Sequence, residues 1–342
     1  MIDRRTLLLG SMPILWSLDL SAQQSMLTAE HRQAVSRGLR FLINSQTDDG
    51  AFGSAEYERN LAVISLAGLA FVSAGHLPDR GPYGKQVSMM VDFVMRHAQE
   101  TGVIGSRESN DRGPMYGHGF STLFLAQVFG VSRRKGLRAV IENAVKLIVR
   151  TQNDEGGWRY EPQKGDADIS VTVCQVLALR AARNAGLYVP PVTIDACRRY
   201  VTALQNSDGG FRYTSQPGES AYGRTASALV SLQSLGWDKK PVLMLGVDFL
   251  IQHIPSNQDY AGDPHYFYGQ YYAAHALYQS GGNAGVSAKP WKAWYAQTSS
   301  LLLEKQQTNG AWQDDFICDP YATAMACLIL QMPSSHLPAL RK

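Results

Sequence analysis

The 342-residue chain is low in charge and in cysteine. Charged residues make up 18% of it, and the formal net charge of +3 is too small to indicate a nucleic-acid partner. The four cysteines, at positions 174, 197, 318 and 327, have neither the spacing of a disulfide framework nor a Cys-x-x-Cys pair. We therefore expect buried free thiols. The apolar run over residues 7–20 is too short for a stable membrane span. Strand-type alternation is also missing, which favours an all-helical protein.

The first 22 residues have the pattern of an export signal. Arg4 and Arg5 precede the apolar run, and Leu20-Ser21-Ala22 offers small residues for cleavage. Paired arginines indicate the twin-arginine route. We therefore expect a periplasmic or extracellular protein, with 1–22 as the signal and 23–342 as a single domain.

A seven-residue pattern recurs along the rest of the chain: Gln, three residues, Gly, one residue, then an aromatic. It occupies residues 46–52, 152–158, 205–211 and 306–312. The step from Gln152 to Gln205 is 53 residues, and the step from Gln46 to Gln152 is twice that. Weaker copies lie at Gln99, which lacks the aromatic, and at Gln252. A period of this length is typical of repeat proteins, and it predicts six units.

Each unit combines two different helix patterns. Amphipathic helices are predicted from Thr28 to the loop with Asp48-Asp49-Gly50, and then near 83–99, 137–152, 191–205, 241–252 and 290–306. Helices that are apolar almost all round are predicted near 59–74, 115–129, 168–185, 221–235, 266–280 and 320–331. Helices of the second kind are buried on every side, whereas those of the first kind face water. The fold class is therefore all-α, an (α/α)6 toroid of six helix hairpins. The inner helices would begin around one mouth, where partial positive charge collects.

Glycines follow several of the inner helices, at positions 75, 130, 186, 236 and 281. A left-handed helix cap is the expected role at each of them. The Gln, Gly and aromatic residues of the repeated loop are interpreted as scaffold. Glycine permits the tight turn, and the glutamine amide can satisfy groups at helix ends.

The Gln-x3-Gly-x-aromatic units resemble the QW repeats of squalene cyclases and the related repeats of protein prenyltransferase β subunits. The resemblance covers about residues 30–332. More narrowly, the tract that begins at Asp168 is similar to exported repeat proteins of planctomycete bacteria, to which no reaction is assigned. The resemblance implies the toroid fold and an isoprenoid or other apolar ligand. It does not fix an activity, because the superfamily also contains prenyltransferases and non-catalytic thioester-type domains.

Squalene cyclases protonate their substrate with an Asp-x-Asp-Asp-Thr-Ala motif at the start of an inner helix. Asp166 and Asp168 occupy a comparable place, with Asp168 as the candidate acid and Asp166 as the carboxylate that keeps it protonated. A second register, which matches Thr172 to Thr225, puts Ser170 at the acid position instead. Asp168 could equally cap the helix. Asp319 has the same spacing to Thr323 as Asp168 has to Thr172, which indicates a repeated cap.

The resemblance to prenyltransferases raises the question of zinc, which those enzymes bind through Asp-x-Cys and a distant His. Cys318-Asp319 has the wrong order and spacing for that motif. We expect neither a metal nor a cofactor.

A second internal pattern consists of Tyr-Gly followed by a polar residue, at Tyr116, Tyr222 and Tyr268. It places aromatic and polar groups at three inner-helix starts, which is typical of a ligand site. It could equally be packing along the axis of the toroid. The predicted cavity residues are Tyr116, His118, Tyr222, Arg224, His265, Tyr268, Gln270, Tyr272, His275 and Asp319.

Three hypotheses remain open from the sequence. The first is a cyclase-like or isoprenoid-binding protein. The second is a non-catalytic module that binds a peptide, a glycan or a partner protein. The third is a polysaccharide-acting enzyme, which would need paired carboxylates, for which Asp166, Asp168, Glu219, Asp263 and Asp319 are scattered candidates.

Overall fold

A computed structural model describes residues 26–105, 113–132, 134–237, 240–281 and 288–334. The predicted export signal lies outside these ranges. The described residues form thirteen α-helices: α1 (Ala29–Asn44), α2 (Leu61–Ser73), α3 (Gly84–Arg96), α4 (Pro114–Phe129), α5 (Leu137–Thr151), α6 (Ile169–Asn184), α7 (Pro191–Ala203), α8 (Tyr222–Ser234), α9 (Lys240–Gln252), α10 (Asp259–Gly262), α11 (Tyr266–Ser280), α12 (Lys289–Lys305) and α13 (Asp319–Gln331).

The helices are arranged as two concentric layers. The inner helices contact one another in the order α2, α4, α6, α8, α11 and α13, and α13 returns to α2. The outer helices α1, α3, α5, α7, α9 and α12 pack against this ring. The predicted all-α toroid is confirmed, and the ring is closed.

The difference between the layers follows from the helix sequences. Twelve residues of α2, all except Ala62, are buried. In α5 the buried residues form one stripe that includes Leu137, Ile141, Ala144 and Ile148. A stripe at this spacing covers one face of a helix, so α5 can pack on the inner ring and still face water.

The glutamine of each repeated loop connects two hairpins. Gln152 Nε2 donates to the Gly156 carbonyl at 2.9 Å and to the Thr193 carbonyl, in the first turn of α7, at 3.0 Å. The other glutamines of the motif, Gln46, Gln205 and Gln306, make the equivalent pair of bonds. For Gln306 the distant acceptor is the Ala34 carbonyl in α1, so this bond joins the last repeat to the first.

The loop glycine is required by both conformation and space. Gly156 has a φ of 105°, and a Cβ built on it would lie 2.3 Å from the Ala196 carbonyl oxygen. Only glycine fits such a position without strain. The following Trp158 is buried and donates from Nε1 to the Ile148 carbonyl at 2.8 Å. These contacts support the interpretation of the loop as scaffold.

The weak second repeat keeps the loop but shifts its register. The Gln99 N–H bonds the Val103 carbonyl, and Gly102 has a φ of 86°. Gln99 therefore occupies the position of Asn153 rather than that of Gln152. Ile104 replaces the aromatic, and its N–H donates to His118 Nδ1 at 3.1 Å.

Two of the predicted glycine caps are wrong. Gly75, Gly186 and Gly236 have φ between 74° and 86°, as a left-handed cap requires. Gly130 and Gly281 have φ of −68° and −65°. These two helices therefore end without a left-handed residue at that position.

Candidate functional site

The N-terminal ends of the inner helices surround a mouth that leads into two adjoining chambers. Tyr116, His265 and Tyr268 line both chambers and so form the junction between them. The segment between α9 and α11 extends over the mouth and contributes Pro255, Asp263 and Pro264 to the walls.

The first chamber, here called the apolar chamber, has a volume of about 240 Å³. Its apolar walls come from three inner helices and include Ala62, Val63, Leu66, Phe120 and Met325. Tyr57 and Tyr321 add aromatic rings, and Cys174 lies on its wall. One turn deeper along α11, Tyr272 is buried against Tyr268 at a centroid distance of 4.9 Å and approaches Cys174 Sγ at 3.4 Å.

The second chamber, here called the tyrosine chamber, has a volume of about 490 Å³. Its aromatic walls include Tyr160, Tyr213, Tyr222 and Tyr266 in addition to the two junction tyrosines. Its polar groups are Ser170, Arg224, Asp263 and His265. Aromatic walls with a few convergent polar groups are typical of small-molecule sites.

Asp168 is the N-cap of α6. Its Oδ1 accepts from the Ser170 N–H at 2.8 Å, from the Val171 N–H at 2.9 Å and from Ser170 Oγ at 2.6 Å. The residue is 0% exposed and does not line either chamber. Burial raises the pKa of this carboxyl, while the bonds from Ser170 and Val171 and the Arg159 charge oppose the shift. A carboxyl in this position reaches a ligand only through another residue.

Ser170 provides that connection. Because its hydroxyl donates to Asp168, it is left to accept from the Tyr116 hydroxyl, which lies 2.6 Å away. Burial raises the pKa of Tyr116, so its phenol stays protonated and can donate. A chain of two hydrogen bonds therefore runs from the buried carboxyl to the junction of the chambers.

Asp166 does not act as the carboxylate neighbour that was predicted. It is exposed and pairs with Arg159 Nη1 at 2.5 Å, while Arg159 Nε lies 3.3 Å from Asp168 Oδ2. Arg159 lies between the two carboxyl groups, so its positive charge screens Asp168 from the exposed Asp166 carboxylate. Its guanidinium also lies over the rings of Tyr160 and Tyr213, at 4.8 and 5.5 Å from their centroids.

Five predicted cavity residues line neither chamber: His118, Gln270, Tyr272, His275 and Asp319. His118 is fully buried, where it bonds the Ile104 N–H and the Ala144 carbonyl. Gln270 is buried and accepts from the Tyr222 hydroxyl at 3.2 Å. Tyr272 and His275 are both 0% exposed. Each prediction failed because helical position alone did not show which side of the helix faces the mouth.

Asp319 is not a second copy of the Asp168 cap. Cys318 is the N-cap residue of α13 and makes no side-chain cap bond, and Asp319 Oδ1 accepts from the Asp314 N–H at 3.2 Å. Thr172 and Thr323 are nevertheless equivalent, since each hydroxyl accepts from the backbone N–H of its loop tryptophan, at 3.1 and 3.0 Å.

The same hydrogen bond corrects the register of the tyrosine pattern. His118 takes the place of Thr172 and Thr225, because all three accept from the N–H of the buried loop residue. Tyr116 is therefore equivalent to Ser170 and not to Tyr222. Both tyrosines still line the tyrosine chamber.

Of the five carboxylates considered for polysaccharide chemistry, Asp263 is the one that lines a chamber described above. The described residues also hold no group of three His, Cys, Asp or Glu side chains placed to bind a metal ion. Within the same ranges, no helix has the length and apolar character needed to cross a membrane.

Tyr160 and Tyr213 were missed in the sequence, although a signal was present. Each lies two residues after the aromatic of its repeated loop, so they are 53 residues apart, and their hydroxyls meet at 2.6 Å. Ser170 was visible only as an alternative register of the Asp-x-Asp tract.

A family model for the prenyltransferase alpha-alpha toroid domain matches residues 14–265. Drimenyl diphosphate synthase from Streptomyces showdoensis is 28% identical over 183 residues, a match that covers 53% of this chain and 32% of the synthase. The chain thus spans about a third of the length of this relative.

Solved structures resemble the chain over nearly its whole length. The type II terpene cyclase MstE from Scytonema superposes with a TM-score of 0.61 at 14% identity, covering 89% of this chain and 98% of the cyclase. An α-1,6-mannanase of Salegentibacter gives a TM-score of 0.61 at 8% identity, with 90% and 99% covered. At these identities the likeness shows the fold alone.

Proposed function

Since the chain belongs to the prenyltransferase alpha-alpha toroid family, we propose that it binds an apolar ligand of the isoprenoid class in the apolar chamber. The observation that carries the proposal is the apolar lining supplied by Ala62, Val63, Leu66, Phe120 and Met325 at the mouth of the toroid. Burial of an alkyl chain there gains about 0.8 kcal/mol for each methylene. A variant of MstE has been solved with the substrate geranylgeranyl dihydroxybenzoate, and the Streptomyces relative is a drimenyl diphosphate synthase.

The proposal extends to chemistry through Asp168. A carboxyl with a raised pKa can hold the proton that a cyclase-like acid needs. To deliver it, both hydroxyls of the chain must turn outward: Asp168 gives its proton to Ser170 Oγ, Ser170 gives its own to the Tyr116 oxygen, and Tyr116 gives its phenol proton to the ligand, so that each hydroxyl receives one proton and releases one. The tyrosine rings of the apolar chamber would stabilise a developing cation by cation–π contact. Turnover therefore requires the Asp168 proton, whereas binding does not.

Extraction of the purified protein with organic solvent, followed by mass spectrometry, tests the binding step. Polyprenyl compounds should be recovered from the wild type and lost from Ala62→Phe, because the added ring fills the chamber from a half-buried position. The matched control is Ala139→Phe, at an exposed position of α5. Equal recovery of polyprenyl compounds from Ala62→Phe and Ala139→Phe would contradict the location of the ligand in the apolar chamber.

Incubation with polyprenyl substrates tests the chemical step. Asp168→Asn keeps the oxygen that caps α6 and accepts from Ser170, but it cannot supply the proton. Any product formed by the wild type should be absent from this variant at unchanged ligand affinity. Unchanged product formation would refute the acid role.

Export by the twin-arginine route is part of the same proposal. Replacement of Arg4 and Arg5 by lysine should retain the chain in the cytoplasm. Cell fractionation measures this retention, and the mass of the mature N-terminus shows whether the signal has been removed.

A further inference from the structure

A pocket at the end of the ring opposite the mouth is lined by arginine side chains. It lies where α6 and α8 end and has a volume of about 260 Å³. Its walls include Arg180, Arg183, Arg198, Gln233 and Ser234. It is here called the arginine pocket.

The arginine pocket is remote from the two chambers at the mouth. Helix α6 begins with Ser170 in the tyrosine chamber and carries Arg183 in its last turn. At about 1.5 Å per residue, the helix separates these two positions by about 20 Å. A ligand of the arginine pocket is therefore independent of the proposed apolar ligand.

Arg198 has a structural role in the pocket. Its Nη1 donates to Asp195 at 2.8 Å, and its Nε donates to the Leu235 carbonyl at the end of α8, also at 2.8 Å. The carboxylate balances its charge, and the carbonyl uses its remaining donors. Arg198 therefore leaves little for a ligand.

Arg180 and Arg183 are not needed as caps of α6. The Ala182 carbonyl accepts from the Leu187 N–H at 2.9 Å, and the Arg183 carbonyl accepts from the Gly186 N–H at 3.0 Å. The end of the helix is thus satisfied by its own backbone. The partial negative charge there, about half a unit, offsets less than one of the two guanidinium charges.

The two guanidinium groups place positive charge in the pocket without a carboxylate in its described wall. Arg180 Nη1 donates to Ser234 Oγ at 3.3 Å and to Gln279 Oε1 at 3.0 Å, which are both neutral groups. Arg183 is exposed and has no hydrogen bond or ion pair among the described residues. Burial and the Arg183 charge lower the pKa of Arg180. A bound anion would relieve this repulsion between like charges.

A buried amide beside Arg180 also requires an acceptor. Gln279 is 4% exposed, and its Nε2 has no hydrogen-bond partner. Because Oε1 of the same amide accepts from Arg180, the free N–H groups lie next to this guanidinium. A ligand oxygen at Arg180, or a water held by that oxygen, would satisfy them. The unpartnered Gln233 Oε1 is a neutral oxygen, so it adds no negative charge to the pocket.

We propose that the arginine pocket binds a phosphate group, held by the guanidinium groups of Arg180 and Arg183. A phosphate monoester carries close to two negative charges on three acceptor oxygens, which matches two guanidinium groups better than the single charge of a carboxylate does. Two sources share this chemistry, namely a soluble phosphate ester and a phospholipid head group. Tyr188, in the loop that follows α6, is 78% exposed, and tyrosine is common at bilayer surfaces, so the lipid source is tested as well.

Calorimetric titration at constant ionic strength tests for the phosphate site. Glycerol 3-phosphate should bind at least tenfold more tightly than glycerate, which presents a carboxylate on a similar small polyol. Flotation with phosphatidylcholine vesicles, with and without phosphatidic acid, tests the lipid source. Binding of the ester alone assigns a soluble ligand, and flotation that requires phosphatidic acid and Arg183 assigns a lipid. If neither occurs, or if glycerate binds as tightly as the ester, the proposal is overturned.

Variants assign the binding to the pocket. Arg183→Gln and Arg180→Gln should each weaken binding of the phosphate about tenfold, and Arg183→Lys should weaken it less, because the charge remains. The control Arg199→Gln removes the same charge from an exposed position of α7 outside the wall and should change the affinity less than twofold. Arg183 is exposed, so Arg183→Gln should unfold at the wild-type temperature and decide the question even if Arg180→Gln does not fold. Equal losses in Arg183→Gln and Arg199→Gln, or no loss in either, would refute the site.

Discussion

Mild acid should destabilise the fold through two buried histidines. Burial lowers the pKa of His118 to about 4 and that of His275 to about 3. Both are 0% exposed, and neither ring nitrogen of His275 has a hydrogen-bond partner among the described residues. His118 uses Nδ1 as an acceptor for the Ile104 N–H, so Nε2 carries the proton and donates to the Ala144 carbonyl at 3.3 Å.

The sign of the effect follows from these shifts. A histidine whose folded pKa lies below its unfolded value of 6.5 binds protons first in the unfolded chain. Stability is therefore present above pH 6.5 and is lost as the pH falls toward the folded pKa. At pH 5 the loss is about 2 kcal/mol for each histidine. Together they would remove about 4 kcal/mol from a typical total of about 5–15 kcal/mol.

Urea unfolding between pH 7 and pH 5 measures this loss. His118→Asn keeps an acceptor for Ile104 but does not titrate, so its unfolding free energy should fall by about 2 kcal/mol less than that of the wild type over this range. His253→Asn, at an exposed position of the outer layer, is the matched control. If the wild type and His118→Asn lose the same free energy, the reasoning about buried neutral histidines is refuted.

Three further predictions concern the scaffold and the site. Gly156→Ala should lower the unfolding free energy by about 2–4 kcal/mol, because its Cβ would clash with the Ala196 carbonyl. Thermal unfolding measures this loss, and the control Gly165→Ala, whose Cβ meets nothing within 4 Å, should leave the unfolding free energy nearly unchanged. Asp168→Ala should cost about 1–2 kcal/mol through loss of the cap, and Asp168→Asn clearly less; equal losses would contradict the capping role. Burial raises the pKa of Cys174 to about 12, so this thiol should resist iodoacetate in the native protein at pH 8 and react with it once the protein is unfolded. Peptide mass mapping measures the labelling, and rapid labelling of the native protein would disprove the burial of this thiol.

The fold could be predicted from the sequence because two independent signals agreed. The 53-residue spacing gave the number of hairpins, and the contrast between helices such as α2 and α5 separated the inner layer from the outer. The register of the second repeat was misassigned because Ile104 replaces the aromatic. Its position became clear only from the His118 bond, which connects residues fourteen positions apart.

The site was predicted less well, since wall positions depend on the rotation of each inner helix. Tyr116, Tyr222 and Tyr268 were placed correctly at the mouth, but Gln270 lies behind Tyr222 and His275 is buried further along α11. Asp168 was predicted as the acid at the ligand, but Ser170 lines the tyrosine chamber instead. An N-cap carboxyl turns back onto its own helix, and no composition rule reveals how far from the cavity that leaves it.

Calorimetric titration with straight-chain alcohols of increasing length tests the central claim most directly, namely that the closed ring of inner helices holds an apolar chain at its mouth. Affinity should rise about fourfold with each added methylene, as burial of about 0.8 kcal/mol per methylene requires, until the apolar chamber is full. In Ala62→Phe the rise should stop at a shorter chain. Affinities that do not depend on chain length, or that are the same in the wild type and in Ala62→Phe, would contradict the claim.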